Sequence, residues 1–380
     1  MEYKICDLMN VNRGASPRPI IEYLTDNGYR WLKISDFSLG DRYVYKTKEY
    51  IKEEGITKTK FLKKGTLILT NSATPGIPIF LGEDMCLHDG FLYFQNIKEE
   101  IISKEYLYYW FIFNRNNIVN QANGSVFKNL KKEIIMNLSI SLPSLNTQKK
   151  VVKILNNIDN KIELNNQTND NLYELSSTLY KKWYDSLSND NITTLSKFDE
   201  MGKIVMGQSP KGESYNYYNE GLPLINGAAD YENGFLKAQK YTTMPTKTCN
   251  KNDLIFCIRA TIGLLTICDK EYCLGRGVAG IVNINDLYRE YVFHLINNSI
   301  ESFKNLATGS VIVGISRNDI QNIKVKIPSK EQIKKFHDIQ KTLFDKMENI
   351  RQENMVLTQL RDTLLPKIMN GEIDLDKIEI

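Results

Sequence analysis

The stretch Thr147–Ser186 leaves few choices of fold. Its apolar residues Leu155, Ile158, Ile162, Leu172, Leu179 and Trp183 recur in steps of three, four, seven and ten. Those steps hold them on one narrow stripe of a helix, the pattern of a coiled-coil seam. The seam positions between them carry Asn165, Asn169 and Ser176. A polar residue there costs stability but fixes register and partner, so this helix wants one particular partner. The chain supplies one within Glu331–Leu364, where Phe336, Ile339, Leu343, Ile350, Leu357, Leu360 and Leu364 repeat the stripe. The run-ins match as well, LPSLNTQKK before the first and IPSKEQIKK before the second. In each a proline bars helix just upstream and a polar residue starts it. At ~1.5 Å per residue, each segment makes a rod of roughly 50 to 60 Å.

The helices belong to a larger repeat. ANGSVFKNLKKEIIMNLSISLPS (122–144) aligns without gaps on ATGSVIVGISRNDIQNIKVKIPS (307–329), pairing Leu138 with Ile323, Ile140 with Val325 and Leu142 with Ile327. Upstream, KKGTLILTNSATPG (63–76) matches NKNDLIFCIRATIG (250–263), and RGASP (13–17) resembles MGQSP (206–210). The offset drifts from 193 residues (Gly14 to Gly207) to 187 (Leu67 to Leu254) and 185 (Ser125 to Ser310). Drift of that kind places the length changes in surface loops of a preserved fold. The short apolar runs Leu67–Thr70, Ile77–Leu81, Leu254–Ile258 and Leu264–Cys268 read as strands bounded by Gly and Pro turns. Helices are expected at Tyr106–Asn117 and Tyr288–Ser302, the same place in each copy. The expected architecture is α+β with a pseudo-twofold internal repeat: globular domain 1–145, long helix 146–187, globular domain 188–328, and long helix with tail 329–380.

Composition narrows the partners. With 42% hydrophobic and 25% charged residues the chain has the profile of a folded soluble protein. A net charge of +4 confines any polyanion site to a local patch. The start MEYKICDLMN has no basic-then-apolar leader, and the longest apolar runs, such as LYYWFIF at 107–113, are too short to cross a bilayer. The expectation is a cytoplasmic chain without a membrane partner. Cys6, Cys86, Cys249, Cys257, Cys268 and Cys273 form no CxxC pair and read as packing residues.

Motifs that suggest catalysis do not hold up. GQSPKGES (207–214) has phosphate-loop spacing, but Glu213 stands where a phosphate-binding lysine belongs. GRGVAG (275–280) fits GxGxxG, yet the strand-like IVNIN follows where a dinucleotide fold needs a helix. His88, His294 and His337 stand apart from one another and read as structural. The residues offer no catalytic, cofactor-binding or metal-binding set. What remains is a series of polar and basic loops at matched places. GASPRP (14–19) carries Ser16 and Arg18, and GQSPKG (207–212) carries Ser209 and Lys211. Each joins a hydroxyl, a proline-stiffened turn and a cation, as phosphate contacts require. Lys58, Lys60, Lys63 and Lys64 cluster in the first copy, and Lys247 and Lys251 are their thinner counterpart. Ser125 and Lys128 of GSVFK and Ser310 of GSV precede the last strand of each domain. A solvated face accounts for the lysines as well as DNA does.

MGQSPKGESYN, NDLIFCIRATIG, LPSLNTQKK before ILNNIDNKIELNN, and LRDTLLPKIMNGEI near the end, set in this two-domain, two-helix order, resemble the specificity subunit of type I restriction-modification enzymes. The resemblance spans essentially all 380 residues, with a shorter lead-in than many of the family carry. It implies two target recognition domains, each reading one half of an asymmetric bipartite sequence in double-stranded DNA. It also implies that the helices pack antiparallel and dock two methyltransferase subunits. Those partners would bind S-adenosylmethionine, and added motor/endonuclease subunits would use ATP and Mg to cut unmodified DNA, leaving this chain without a cofactor or chemistry of its own. Two rival classes fit less well. An autonomous methyltransferase or nuclease would need a cofactor pocket or carboxylate cluster in motif context. A pure scaffold would leave the two basic-looped domains unexplained.

Overall fold

The structure, a computed structural model, describes residues 1–37, 40, 42–122, 129–232, 234–306 and 314–375. Two long helices, Leu145–Ser186 and Lys330–Met369, divide two compact units between them. The first unit comprises Met1–Asn165 and Gln352–Ile380, the second Asn166–Arg351. Both helices start as their run-ins direct. Ser144 Oγ accepts from Thr147 N at 3.1 Å, and Ser329 Oγ accepts from Gln332 N at 3.2 Å while Gln332 Oε1 accepts from Ser329 N at 2.8 Å. These bonds satisfy amides that the first turn leaves without partners.

Each unit stacks three layers: a helix, a core sheet and an outer sheet. In the first unit the core sheet runs in the order Asn10–Arg13, Phe91–Gln95, Leu67–Thr70, Pro78–Leu81, Tyr43–Val44. Alternate residues face opposite layers. Leu67, Leu69, Leu92 and Phe94 pack with Tyr106, Leu107 and Phe111 of the helix Lys104–Ala122. Ile68, Phe91 and Tyr93 pack with Leu32, Leu62 and Leu87 of the outer sheet. That sheet has the order Leu24–Thr25, Glu49–Ile51, Tyr29–Leu32, Met85–Leu87, Lys60–Leu62. Burial on both faces is why these strands read as unbroken apolar runs.

The second unit repeats the plan. Its core sheet is ordered Lys203–Met206, Val278–Val282, Leu254–Cys257, Gly263–Ile267, and its outer sheet Tyr215–Asn216, Lys240–Thr242, Leu222–Ile225, Tyr272–Leu274, Thr248–Cys249. Leu254 and Phe256 face the helix Arg289–Leu306, while Ile255 and Cys257 face the outer sheet. Five of the cysteines are buried in this way, but Cys6 is exposed, at the start of a helix of one turn where nothing packs over it. GRGVAG is a tight connection between two strands: a Cβ at Gly275 would come within 2.1 Å of Asn226 Oδ1, and one at Gly277 within 2.0 Å of Asn226 O.

The long helices run antiparallel, and partner numbers fall on one as they rise on the other. In the first unit Asp159 meets Arg361 (Nη1–Oδ1 3.1 Å), and Asn165 Nδ2 donates to Asn354 Oδ1 at 2.8 Å. In the second, Asn169 Nδ2 donates to Met347 O at 3.4 Å, Gln340 Nε2 to Ser176 O at 3.0 Å, and Trp183 stacks on Phe336 at 4.1 Å. Of the stripe read on the first helix, Leu155 and Ile158 are buried, and Ile162, Leu172, Leu179 and Trp183 are half-buried. On the second helix the stripe is covered only in part. Phe336 and Ile350 are buried and Leu343, Leu357 and Leu364 half-buried, but Ile339 is 55% and Leu360 45% exposed. The buried side instead passes through Ile333, His337, Gln340, Arg351, Leu365 and Ile368. Polar residues share this buried side, so a pattern drawn through apolar residues alone traces only part of it.

Each half of the pair also packs on the helix of its own unit. Tyr109 Oη donates to Asp159 Oδ2 at 2.6 Å and lies 2.9 Å from Asn156 Oδ1. In the second unit His294 lies between Ser176 (Nε2–Oγ 2.8 Å) and Tyr180 (rings 4.8 Å apart), and His337 Nδ1 lies 2.7 Å from the fully buried Glu290. Both histidines are embedded in helix packing. His88 is half-buried and accepts from Gly90 N through Nδ1 at 2.8 Å.

Candidate nucleic-acid interface

The two basic loops are held by the same three hydrogen bonds. Gly14 N donates to Phe91 O (2.9 Å), Ala15 N to Leu87 O (3.0 Å), and Thr59 Oγ1 to Ala15 O (2.7 Å). In the second unit Gly207 N donates to Val278 O (3.0 Å), Gln208 N to Leu274 O (2.9 Å), and Thr246 Oγ1 to Gln208 O (2.6 Å). Glycine is required where the loop turns in. A Cβ at Gly14 would come to 2.1 Å from His88 O, and one at Gly207 to 2.0 Å from Gly275 O. Pro17 and Pro210 are buried behind the turns, while Arg18 and Lys211 project into solvent. The threonine clamp was not anticipated from the sequence, although extending the 63–76/250–263 match four residues upstream pairs Thr59 with Thr246 and Lys60 with Lys247.

Next to each clamp threonine stands a second cation, Lys60 after Thr59 and Lys247 after Thr246. Lys60 pairs in register with Leu87, and Leu274 N donates to Lys247 O at 2.7 Å, so each lysine flanks the residue that holds its loop. Lys60 and Lys247 are exposed and form no ion pair among the described residues. Lys251 is exposed beyond the end of its strand. The other lysines of the first copy are engaged. Lys63 pairs with Asp84 (2.8 Å), Lys64 lies 3.9 Å from Glu83, and Lys58 Nζ donates to Tyr23 Oη and sits 4.7 Å from that ring's centre. The Lys63 contact and the Lys64 amide hold the Asp84 carboxyl below its ordinary range. Ser16 Oγ donates to Asp89 Oδ1 at 3.0 Å, so its hydroxyl serves the loop's own structure. Ser209 is half-buried, and Lys211 faces Glu213 at 3.9 Å. Ser125, Lys128 and Ser310 lie outside the described residues. Each unit thus presents one exposed loop cation, Arg18 or Lys211, and one exposed cation after its clamp threonine, Lys60 or Lys247.

Residues 1–174 and 193–359 match the type I restriction modification DNA specificity domain. The chain belongs to the type I restriction-modification specificity family. The MjaIX specificity subunit of Methanocaldococcus jannaschii is 23% identical over 413 residues, covering 99% of this chain and 94% of that protein. A putative MjaX specificity subunit of the same organism is 29% identical over 255 residues, 63% of this chain and 60% of its own length, so the match spans about three fifths of that relative. The crystal structure of a type I restriction-modification S subunit from M. genitalium aligns with 97% of this specificity chain and 95% of its own, at a TM-score of 0.54 and 16% identity. This likeness carries the fold: two mixed α/β domains alternating with two long helices. Among the described residues no helix is long and apolar enough to cross a membrane.

Proposed function

We propose that this specificity subunit reads an asymmetric bipartite sequence in double-stranded DNA, one half-site per unit, and presents that DNA to methyltransferase subunits docked on its long helices. One observation carries the reading. The same clamp positions equivalent cationic loops in both units, while the side chains around the loops differ. A shared phosphate-binding frame with different neighbours suits two half-sites of different sequence. Docking is supported by large apolar side chains that the helix pair leaves facing outward: Leu175 at 47%, Ile339 at 55%, Val356 at 63% and Leu360 at 45% exposure. Side chains of that kind, set among polar neighbours, suit a protein partner. The chain contributes recognition. Methyl transfer from S-adenosylmethionine, and ATP- and Mg-dependent cleavage where motor/endonuclease subunits join, belong to the partners.

The decisive experiment replaces residues 1–145 with the corresponding domain of a relative and maps methylated positions in host DNA by long-read sequencing. One half-site should change and the other stay as it was. A change in both, or in neither, refutes the modular reading. A scaffold without a reading role predicts no salt-dependent DNA shift by the assembled complex, whereas phosphate contacts demand one.

A further inference from the structure

The outer sheets of the two units can be matched residue by residue. Leu24 pairs with Ile51 and Thr25 with Tyr50 in the first; Tyr215 pairs with Thr242 and Asn216 with Tyr241 in the second. From these strands the chain turns back to Tyr29 in one unit and to Leu222 in the other. The first turn is the three residues Asp26–Gly28. The second is the five residues Tyr217–Gly221, and it carries two adjacent tyrosines, 69% and 83% exposed.

This longer turn is built to a fixed shape. Asn216 Oδ1 accepts from Tyr218 N and Glu220 N, both at 3.1 Å, and its Nδ2 donates to Glu220 O at 2.9 Å. Asn219 sits at φ 63° and Gly221 at φ 77°, where a Cβ on Gly221 would come to 2.2 Å from Thr242 O. The turn is also continuous with the basic loop, because Tyr215 Oη donates to Pro210 O at 3.2 Å. Lys240 Nζ lies 5.7 Å from the ring centre of Tyr217 and 6.0 Å from that of Tyr215, so a cation is held against the same face.

We infer that Tyr217 and Tyr218 contact bases in the half-site read by the second unit and set its sequence preference, which rests on the DNA-reading function proposed above. Lys211, Lys247 and Lys240 supply charge for phosphates. Uncharged rings gain little from a phosphate. Against base pairs they shed water from their faces, and their hydroxyls can donate to or accept from base edges, which differ between pairs in the major groove. The first unit has no aromatic residue in its turn, so its half-site is read by other side chains.

The test uses the whole subunit assembled with its methyltransferase partners. A Tyr217→Ala, Tyr218→Ala variant and the parent are compared by methylation mapping, with DNA binding measured on targets altered one base at a time. At one or more positions of the second half-site, discrimination should fall by roughly tenfold. The first half-site should be untouched. Tyr218→Ala alone, at the more exposed ring, should relax the same position less and guards against a folding defect in the double variant, which thermal unfolding would reveal. Base preference unchanged in both variants overturns the inference, as does uniform weakening across all targets, which would place the rings on the backbone. A parent complex that methylates no bipartite site overturns both this inference and the function on which it rests.

Discussion

The Asp159–Arg361 pair offers the sharpest test of how the first unit holds its share of the helix pair. The Asp159 side chain is 5% exposed and that of Arg361 16%, and the carboxylate also accepts from the fully buried Tyr109. Asp159→Ala leaves a guanidinium in a largely dry seam. Breaking such a pair costs about 3 to 5 kcal/mol when the remaining charge has no other partner. Arg361 keeps Asp362 at 2.9 Å and Tyr109 keeps Asn156, so the lower end, ~3 kcal/mol, is expected here. For a unit of this size 1 kcal/mol moves Tm by about 2 to 4 °C, which gives a drop of about 6 to 12 °C. Lys161–Glu353 is the internal control, at 3.3 Å but with both side chains nearly half exposed. Lys161→Ala should cost under ~1 kcal/mol. Replacing the buried pair together, Asp159→Leu with Arg361→Met, should recover most of the loss, because apolar packing substitutes for a buried ion pair. Thermal unfolding followed by circular dichroism reads all three. An Asp159→Ala shift no larger than that of Lys161→Ala would show that the seam does not depend on this pair.

Burial pushes His294 down to about 4, below the ordinary 6.5, so its contribution is complete above pH 6.5 and lost as pH falls toward 4, where the unfolded chain binds the extra proton. Urea unfolding of the second unit should show a loss of up to about 3 kcal/mol across that window, and His294→Gln should flatten it. Neutralising Lys60 and Lys247 should weaken binding on every sequence and reduce the salt slope by roughly 1 for each phosphate no longer neutralised, whereas neutralising Lys63 and Lys64, already paired with acids, should do less. Binding titrations at several salt concentrations separate the two. Inserting one heptad after Gln167 and one after Gln352 keeps the seam in phase and adds about 10 Å of helix, so methylation mapping should find the non-specific spacer longer by about three base pairs with both half-sites unchanged.

How far the fold was legible depended on what fills each buried position. On the first helix Leu155, Ile158, Ile162, Leu172, Leu179 and Trp183, all buried or half-buried, make the periodicity plain. On the second, buried polar residues interrupt the apolar pattern: Gln340 and Arg361 meet Ser176 and Asp159 on the first helix, and His337 meets Glu290 on the domain helix, partners that no periodicity shows. Strands buried on both faces stood out as apolar runs, and the loops at Gly14 and Gly207 as a repeated turn. The clamp did not, since Thr59 and Thr246 look like any surface threonine until their acceptors are placed. Nor did the tyrosine turn, where the informative fact is a difference in length between two copies and not a motif in either.

That difference bears on what kind of target the chain can read. A palindrome would require equivalent side chains at equivalent register in the two units. The frame meets that condition, since the clamp bonds, the glycines and the alternation of the core strands recur. The outer sheet does not. Trp31 pairs with Glu49 in the first unit and Leu224 with Lys240 in the second, so one sheet position carries opposite charges. Glu49 is tied to Lys33, whereas Lys240 rests on Tyr215 and Tyr217. A carboxylate can accept from a base amine and is repelled by phosphate, while an ammonium does the reverse. On the proposed function the two positions would make different contacts, and the turn beside this position is two residues longer on the side that carries the lysine. On that function, duplication kept the frame that would meet the DNA backbone and changed the side chains around it. On the proposed function, then, the asymmetry of the target follows from side chains already fixed in place, and Glu49→Lys should shift the preference of the first half-site while leaving that of the second unchanged.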